Sequence, residues 1–173
     1  MFDSQNIFFT TATINKWLNL LEKDEYKDIL ISSLRFLVQN ERLYIYAFVI
    51  MPNHLHIIWS ENNNKVKETA KASFLKFTSK YFLKNLKQTN PEFLKRFFVN
   101  KRDRKYQFWQ RNSLDIDISS EKIFDQKLNY IHNNPLQPKW NLVENPVYYK
   151  YSSAKFHEEG IDEFGILMSY YLA

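Results

Sequence analysis

Residues 43–59 read LYIYAFVIMPNHLHIIW, from Leu43 to Trp59, a pattern that specifies two strands and the turn between them. The nearly continuous apolar run from Leu43 to Met51 suits a central strand covered on both faces. Pro52 cannot continue a strand ladder and Asn53 favours a turn, so the chain reverses there. His54 to Trp59 returns as a second strand, completing a hairpin. Side chains alternate along a strand, which puts His54, His56 and Ile58 on one face and Leu55, Ile57 and Trp59 on the other.

Before the hairpin, Ile7 to Ile14 (IFFTTATI) is β-branched and aromatic and reads as a strand. Glu25 to Asn40 places Tyr26, Ile29/Leu30, Ser33/Leu34 and Leu37/Val38 at helical intervals. After it, residues 63–88 read as a long basic helix. Val66, Ala70, Phe74, Phe77 and Tyr81 fall on one face, with Leu75, Phe82 and Leu86 as a second apolar group. Lys76, Lys80, Lys84 and Lys87 form an adjacent stripe. Asn90-Pro91 ends this helix, and Lys101 to Lys105 (KRDRK) reads as a charged loop. Tyr106 to Ile118 holds one or two strands, in which Leu114, Ile116 and Ile118 alternate with Asp115 and Asp117. Ser119 or Ser120 caps a last helix that Pro135 stops after Asn134. The order is βαββαβ plus a helix, an α+β chain with a ferredoxin-like antiparallel sheet and helices on one face. Residues 1–157 are expected to form one domain, with 158–173 as a C-terminal tail.

Composition narrows the chemistry. The 173 residues include no cysteine and two glycines, Gly160 and Gly165, where about 7% glycine is usual. A glycine-rich phosphate cradle, a disulfide framework, a thiolate metal site and a cysteine nucleophile are thereby excluded. No apolar run is long enough for a membrane helix, and no signal peptide opens the chain; a cytoplasmic protein without membrane association is expected. Between Lys65 and Lys105, thirteen Lys or Arg face three acidic residues, a net of +10, whereas the rest of the chain carries −5. Aromatic rings interleave with these cations, as suits phosphate tracking and base stacking. A solvated helix face above core rings would give the same pattern.

Four histidines are present, at 54, 56, 132 and 157. Two imidazoles a strand repeat apart can grip one metal ion, although the spacing also arises on any half-exposed strand. In the last helix, at about 100° per residue, Asn134 lies about 40° around from Tyr130. Gln126 and Lys127 share that face, and His132 points about 200° away. A phenol nucleophile thus stands one turn from an amide oxygen able to complete a metal site. Tyrosine can form a covalent intermediate, but an ordinary pKa of about 10 means that it needs help to lose its proton. The same residues fit a core ring with a wet hydroxyl and a plain helix C-terminus, and spacing does not choose between these readings.

The segment Tyr46 to Trp59, with its Met-Pro-Asn-His-Leu-His core, resembles the His-hydrophobic-His segment of single-strand DNA transposases with one catalytic tyrosine (HUH transposases). Leu128-Asn129-Tyr130-Ile131-His132-Asn133-Asn134-Pro135 resembles their tyrosine helix. The REP-associated branch is most similar, with Tyr151-Ser152-Ser153 matching its downstream Tyr-Ser-Ser. The resemblance spans roughly residues 5–157 and implies a metal site of His54, His56 and Asn134, with Tyr130 as nucleophile. Mg²⁺ or Mn²⁺ is the implied ion, and imidazole ligands favour manganese.

The implied reaction nicks and rejoins single-stranded DNA beside a hairpin through a 5′-phosphotyrosine, needing no nucleotide cofactor. Lys76, Lys80, Lys84 and Lys87, together with Lys101, Arg102, Arg104 and Lys105, are the candidates for holding that inverted-repeat hairpin. They would do so by phosphate contacts that position it without specifying sequence. The family includes dimers whose tyrosine helix serves the partner's site, and the REP-associated branch works as monomers; monomer and homodimer both stay open. Two rivals remain. One is a replication initiator or relaxase using related chemistry, against which the motif order speaks. The other is a non-catalytic, domesticated module that binds hairpin or single-stranded DNA.

Overall fold

A four-stranded antiparallel sheet organises the computed structural model, which describes residues 6–62 and 67–172. In chain order the elements are β1 (Ile7–Thr13), α1 (Asp24–Gln39), β2 (Leu43–Met51), β3 (His54–Glu61), α2 (Ala70–Thr89) and α3 (Pro91–Lys95). There follow β4 (Phe98–Lys101), β5 (Arg104–Tyr106), β6 (Leu114–Asp117), α4 (Glu121–Asn133) and α5 (Ala154–Glu159). The sheet order β2-β3-β1-β6 is the ferredoxin-like arrangement, with β6 as its last strand. Met51 pairs with His54, so Pro52 and Asn53 alone make the hairpin turn.

Both faces of the sheet are covered, and by different helices. Leu30, Leu34 and Leu37 of α1 and Phe74, Phe82 and Leu86 of α2 pack with Phe48, Ile50, Leu55, Ile57 and Trp59. On the opposite face Phe124 and Ile131 of α4 meet Phe9, Ala47, Val49, Met51 and Ile58. The expected helices on one face are thus α1 and α2, while the added helix closes the other. A bulge between Ile45 and Ala47 shifts the register of β2 against β3. Tyr46 and Ala47 consequently join the same side of the core.

Several local expectations need correction. The expected start of α2 at 63, and Val66 on its apolar face, lie outside the described residues; the helix is described from Ala70. Its buried stripe is Ala70, Phe74, Thr78, Phe82 and Leu86, so Phe82 and Leu86 belong with Phe74 rather than to a second face, and Phe77 is exposed. Thr78 is tolerated in that stripe because its hydroxyl donates to Phe74 O (2.9 Å) and accepts from Trp109 Nε1 (3.0 Å). Lys101–Lys105 is no loose loop but the tip of the β4–β5 hairpin, where Lys101 pairs with Arg104.

Beyond residue 136 the chain runs back along the sheet. Ile50 N donates to Tyr151 O and Ser153 N to Phe48 O (both 2.9 Å), so this segment pairs with the outer side of β2 and covers that edge. Further on, Met168 N donates to Ile45 O (2.8 Å), and Tyr170 stacks on Phe124.

His132 ties α4 into this framework. Its Nε2 is hydrogen-bonded to Ser153 Oγ (2.9 Å), which also accepts from Phe48 N (3.0 Å). The Tyr-Ile-His-Asn-Asn-Pro and Tyr-Ser-Ser segments therefore meet physically, and their junction fixes the C-terminal turn of α4 against β2. Burial pushes the His132 pKa down to about 3, with the charge of nearby His157 adding to the effect. An unfolded histidine titrates near 6.5, so between about 6.5 and 3 the unfolded chain binds a proton that the folded one refuses. Stability falls as pH drops through that window. Urea midpoints at pH 7 and pH 4.5 should show a smaller acid loss for His132→Asn than for the wild type; an equal loss would mean His132 is not held neutral.

Candidate active site

The hairpin and α4 bring four of the singled-out residues to one place. His54 and His56 sit on the α4-facing side of β3, their ring centroids 4.6 Å apart. Tyr130 meets His56 edge-on at 5.1 Å between centroids, Phe9 of β1 stacks on His56 at 5.3 Å, and the Phe9 and Tyr130 rings are themselves 6.1 Å apart, so the three form a cluster. Asn134, the residue capping α4, retains helical torsions (φ −58°, ψ −45°), so the one-turn spacing from Tyr130 survives past the helix end. Its side chain shares a pocket wall with His54, whose pKa it raises against the larger effect of burial. His54, His56, Tyr130 and Asn134 all line one pocket of about 620 Å³. His132 is buried away from it, as helical spacing requires.

Burial is uneven in a useful way. His54, His56 and Asn134 are buried, whereas Tyr130 is 50% exposed and open to a substrate. His54 Nδ1 lies 2.7 Å from Asn53 Oδ1; because an amide carbonyl only accepts, that ring nitrogen carries the proton and Nε2 keeps its lone pair. His56 Nδ1 is held by the Thr11 hydroxyl at 2.8 Å. Such partners orient metal-binding imidazoles. Burial, reinforced by Lys139, lowers the His54 pKa to about 4. Burial, then His54 and Lys127, lowers that of His56 to about 3. Both rings are therefore neutral, the form that ligates, throughout the physiological range.

The donor set fits a divalent cation of borderline softness: two neutral imidazoles with oriented second nitrogens and one amide. Among the described residues, no group of three or more His, Cys, Asp or Glu offers an alternative site. With no carboxylate in the set, the remaining ligands and the neutralising charge would have to come from water and a phosphate.

The basic residues divide. Lys76, Lys80 and Lys87 of α2 line a groove of about 580 Å³ with Arg104 and Lys105 of the β4–β5 hairpin, above Leu75, Leu83 and Tyr106. Arg111, not singled out from the sequence, joins them. Lys84, Lys101 and Arg102 are exposed but lie outside that lining. Some of the charge is internally balanced: Lys76 pairs with Glu68 (3.2 Å), and Arg104 pairs with Asp103. Gln110 lines both the groove and the histidine–tyrosine pocket, so the two adjoin. Trp17, Lys139 and Trp140 also line the pocket. An adjacent Lys-Trp pair occurs twice, at Lys16-Trp17 and Lys139-Trp140, and was the only local signal for these residues.

No protein-family model and no curated protein matches this sequence. Solved structures do. A REP-associated tyrosine transposase bound to a REP hairpin superposes with a TM-score of 0.61 at 19% identity, covering 95% of this chain and 86% of that one. A candidate transposase from Deinococcus radiodurans R1 superposes with a TM-score of 0.46 at 17% identity, covering 77% and 94% of the two chains. The chain thus has the tyrosine-transposase fold, as the resemblance of its two motifs led one to expect. Among the described residues, no helix is long and apolar enough to cross a membrane.

Proposed function

We propose that this protein is a transposase-type enzyme that nicks and rejoins single-stranded DNA beside a hairpin, with Tyr130 as the nucleophile. The observation that carries this reading is the convergence of His54, His56, Asn134 and half-exposed Tyr130 in one pocket adjoining a basic groove. Relatedness in fold to a hairpin-bound transposase supports the choice of DNA substrate.

In this mechanism the groove holds the hairpin stem and delivers the flanking single strand past Gln110 to the pocket. Tyr130 Oη attacks the scissile phosphorus in line with the departing 3′ oxygen. The new bond is a 5′-phosphotyrosine, the P–O3′ bond breaks, and the phenol proton ends, in net balance, on the released 3′-hydroxyl. Reversal by that hydroxyl or another rejoins strands, because the bond energy is kept in the phosphotyrosine. His54 Nε2, His56 Nε2 and the Asn134 amide oxygen are the groups that would hold Mg²⁺ or Mn²⁺. When bound there, such a cation supplies polarisation of the phosphate and screening of its charge. Lys127 and Lys139 add positive potential at the same phosphate. Because α4 packs on its own sheet, the site is complete within one chain, which favours a monomer working in cis.

Incubation with end-labelled single-stranded hairpin DNA and Mn²⁺ or Mg²⁺ should give an adduct that survives denaturation and is abolished by chelator. Hairpin binding without any adduct on DNA from the gene's own flanking inverted repeats would instead favour the non-catalytic module.

The groove makes a separate prediction. Lys80→Ala and Lys87→Ala should each weaken hairpin binding to a similar degree for all stem sequences. Each should also flatten the slope of log K against log salt by about one. An unchanged slope would place the stem elsewhere.

A further inference from the structure

At the rim of the pocket, the backbone of Lys16 and Trp17 holds positive φ, 59° and 56°. The left-handed region is uncommon for any residue with a Cβ and is an outlier for one as bulky as tryptophan. Backbone strain of this kind collects where surrounding contacts over-determine a functional geometry. Here those contacts are specific. Trp17 N donates to Ile14 O (3.0 Å), Lys16 Nζ reaches Arg96 O (2.7 Å), and Asn53 Nδ2 donates to Trp17 O (3.2 Å). The same Asn53 accepts from His54 through its Oδ1. One side chain therefore fixes both the orientation of a pocket histidine and the position of the strained residue.

The strain does not serve to bury the indole. Trp17 is 56% exposed, with its ring edge-on to His54 at 6.4 Å between centroids. Lys139 Nζ lies 5.8 Å from the Trp17 ring centroid and 5.1 Å from that of Trp140. An exposed flat ring, a cation held over it and the reacting residues close by form a nucleotide-shaped arrangement: π-surface for a base, ammonium for its phosphate.

We infer that Trp17 and Lys139 form a subsite for one unpaired nucleotide adjoining the scissile phosphate, whose base stacks on the Trp17 indole. The subsite rests on the strand-transfer reading for the identity of its neighbouring phosphate, but its occupancy can be measured without any cleavage. It gives the protein a means of distinguishing a stem with a single-stranded flank from a stem alone. Stacking accepts any base, so the contact fixes the flank's path rather than its sequence.

The test uses full-length protein carrying Tyr130→Phe, with fluorescein-labelled hairpins read by anisotropy. One probe has a mixed-sequence single-stranded flank and the other none. Trp17→Ala should weaken binding of the flanked hairpin by about ten-fold or more and leave the flankless one unchanged, while Trp17→Phe retains most of the affinity. Trp17→Gly guards against misfolding. Glycine accepts the positive φ without strain, so this variant should melt no lower than the parent and still lose flank binding. An abasic site at one flank position should reproduce the loss in the parent and add nothing to Trp17→Ala. Equal weakening of both probes, or additivity at every abasic position, would overturn the subsite. Loss of adduct formation in wild-type protein would count against the chemistry of Tyr130 and leave this binding result standing.

Discussion

Tyr130→Phe is expected to abolish covalent capture of DNA while leaving hairpin affinity and thermal stability essentially unchanged. The substitution deletes one oxygen and keeps the ring, so the edge contacts with His56 (5.1 Å) and Phe9 (6.1 Å) persist. With the side chain half exposed, no buried hydrogen bond is broken, and surface changes of this kind stay within about 0.5 kcal/mol. Loss of a nucleophile that acts as a unit with its neighbours is far larger, on the order of 10⁴-fold or more in rate. A gel of labelled hairpin DNA under denaturing conditions, run beside anisotropy on the same samples, separates the two effects. Retention of adduct at even a tenth of the wild-type rate would move the nucleophile to another residue.

His54→Ala and His56→Ala should each remove metal-stimulated cleavage. The loss should exceed the roughly 10–100-fold typical when a group orienting a metal ligand is lost. The double variant should be little worse than either single one, because two imidazoles that hold one ion, as proposed, act as a unit and their effects do not add. Hairpin binding should persist in all three, since the groove proposed for the stem is lined by Lys80 and Lys87 and not by either histidine. Mn²⁺ titration in the presence of uncleaved hairpin provides the direct readout. Each variant leaves a polar partner behind, buried Asn53 for His54 and half-buried Thr11 for His56, so a modest stability loss is expected. Outright unfolding at pH 7 would show instead that these rings are chiefly core.

Much of this site was readable from spacing because it lies on regular elements. A period of two put His54 and His56 on one face of β3, and a period of 3.6 put Asn134 beside Tyr130 and turned His132 away. What periodicity could not supply was which face of the sheet α4 would cover, since that depends on long-range packing of Phe124 and Ile131. The apolar stripe of α2 was misassigned for a related reason. Thr78 sits at its centre, and a threonine counts as core only once Trp109 is known to bond its hydroxyl. The β4–β5 hairpin hides in Lys-Arg-Asp-Arg-Lys, which has no alternation of apolar residues. The strand-edge pairing of residues 150–153 is likewise non-local. Trp17 is the clearest case: its left-handed backbone carries no glycine or Asn-Gly signal and is held by a hydrogen bond from Trp17 N to Ile14 O and another from Asn53 Nδ2 to Trp17 O.

Strand transfer by Tyr130 requires its phenolic oxygen to become bonded to a 5′ phosphate. Digestion of the denatured adduct with protease and nuclease, followed by mass spectrometry of the nucleotide-bearing peptide, measures that bond directly. A single modified peptide containing Tyr130 is expected, linked to the 5′ phosphate of the nucleotide, with a free 3′-hydroxyl on the other fragment. A nucleotide on a different tyrosine, such as the exposed Tyr148, or a link through a 3′ phosphate, would contradict it.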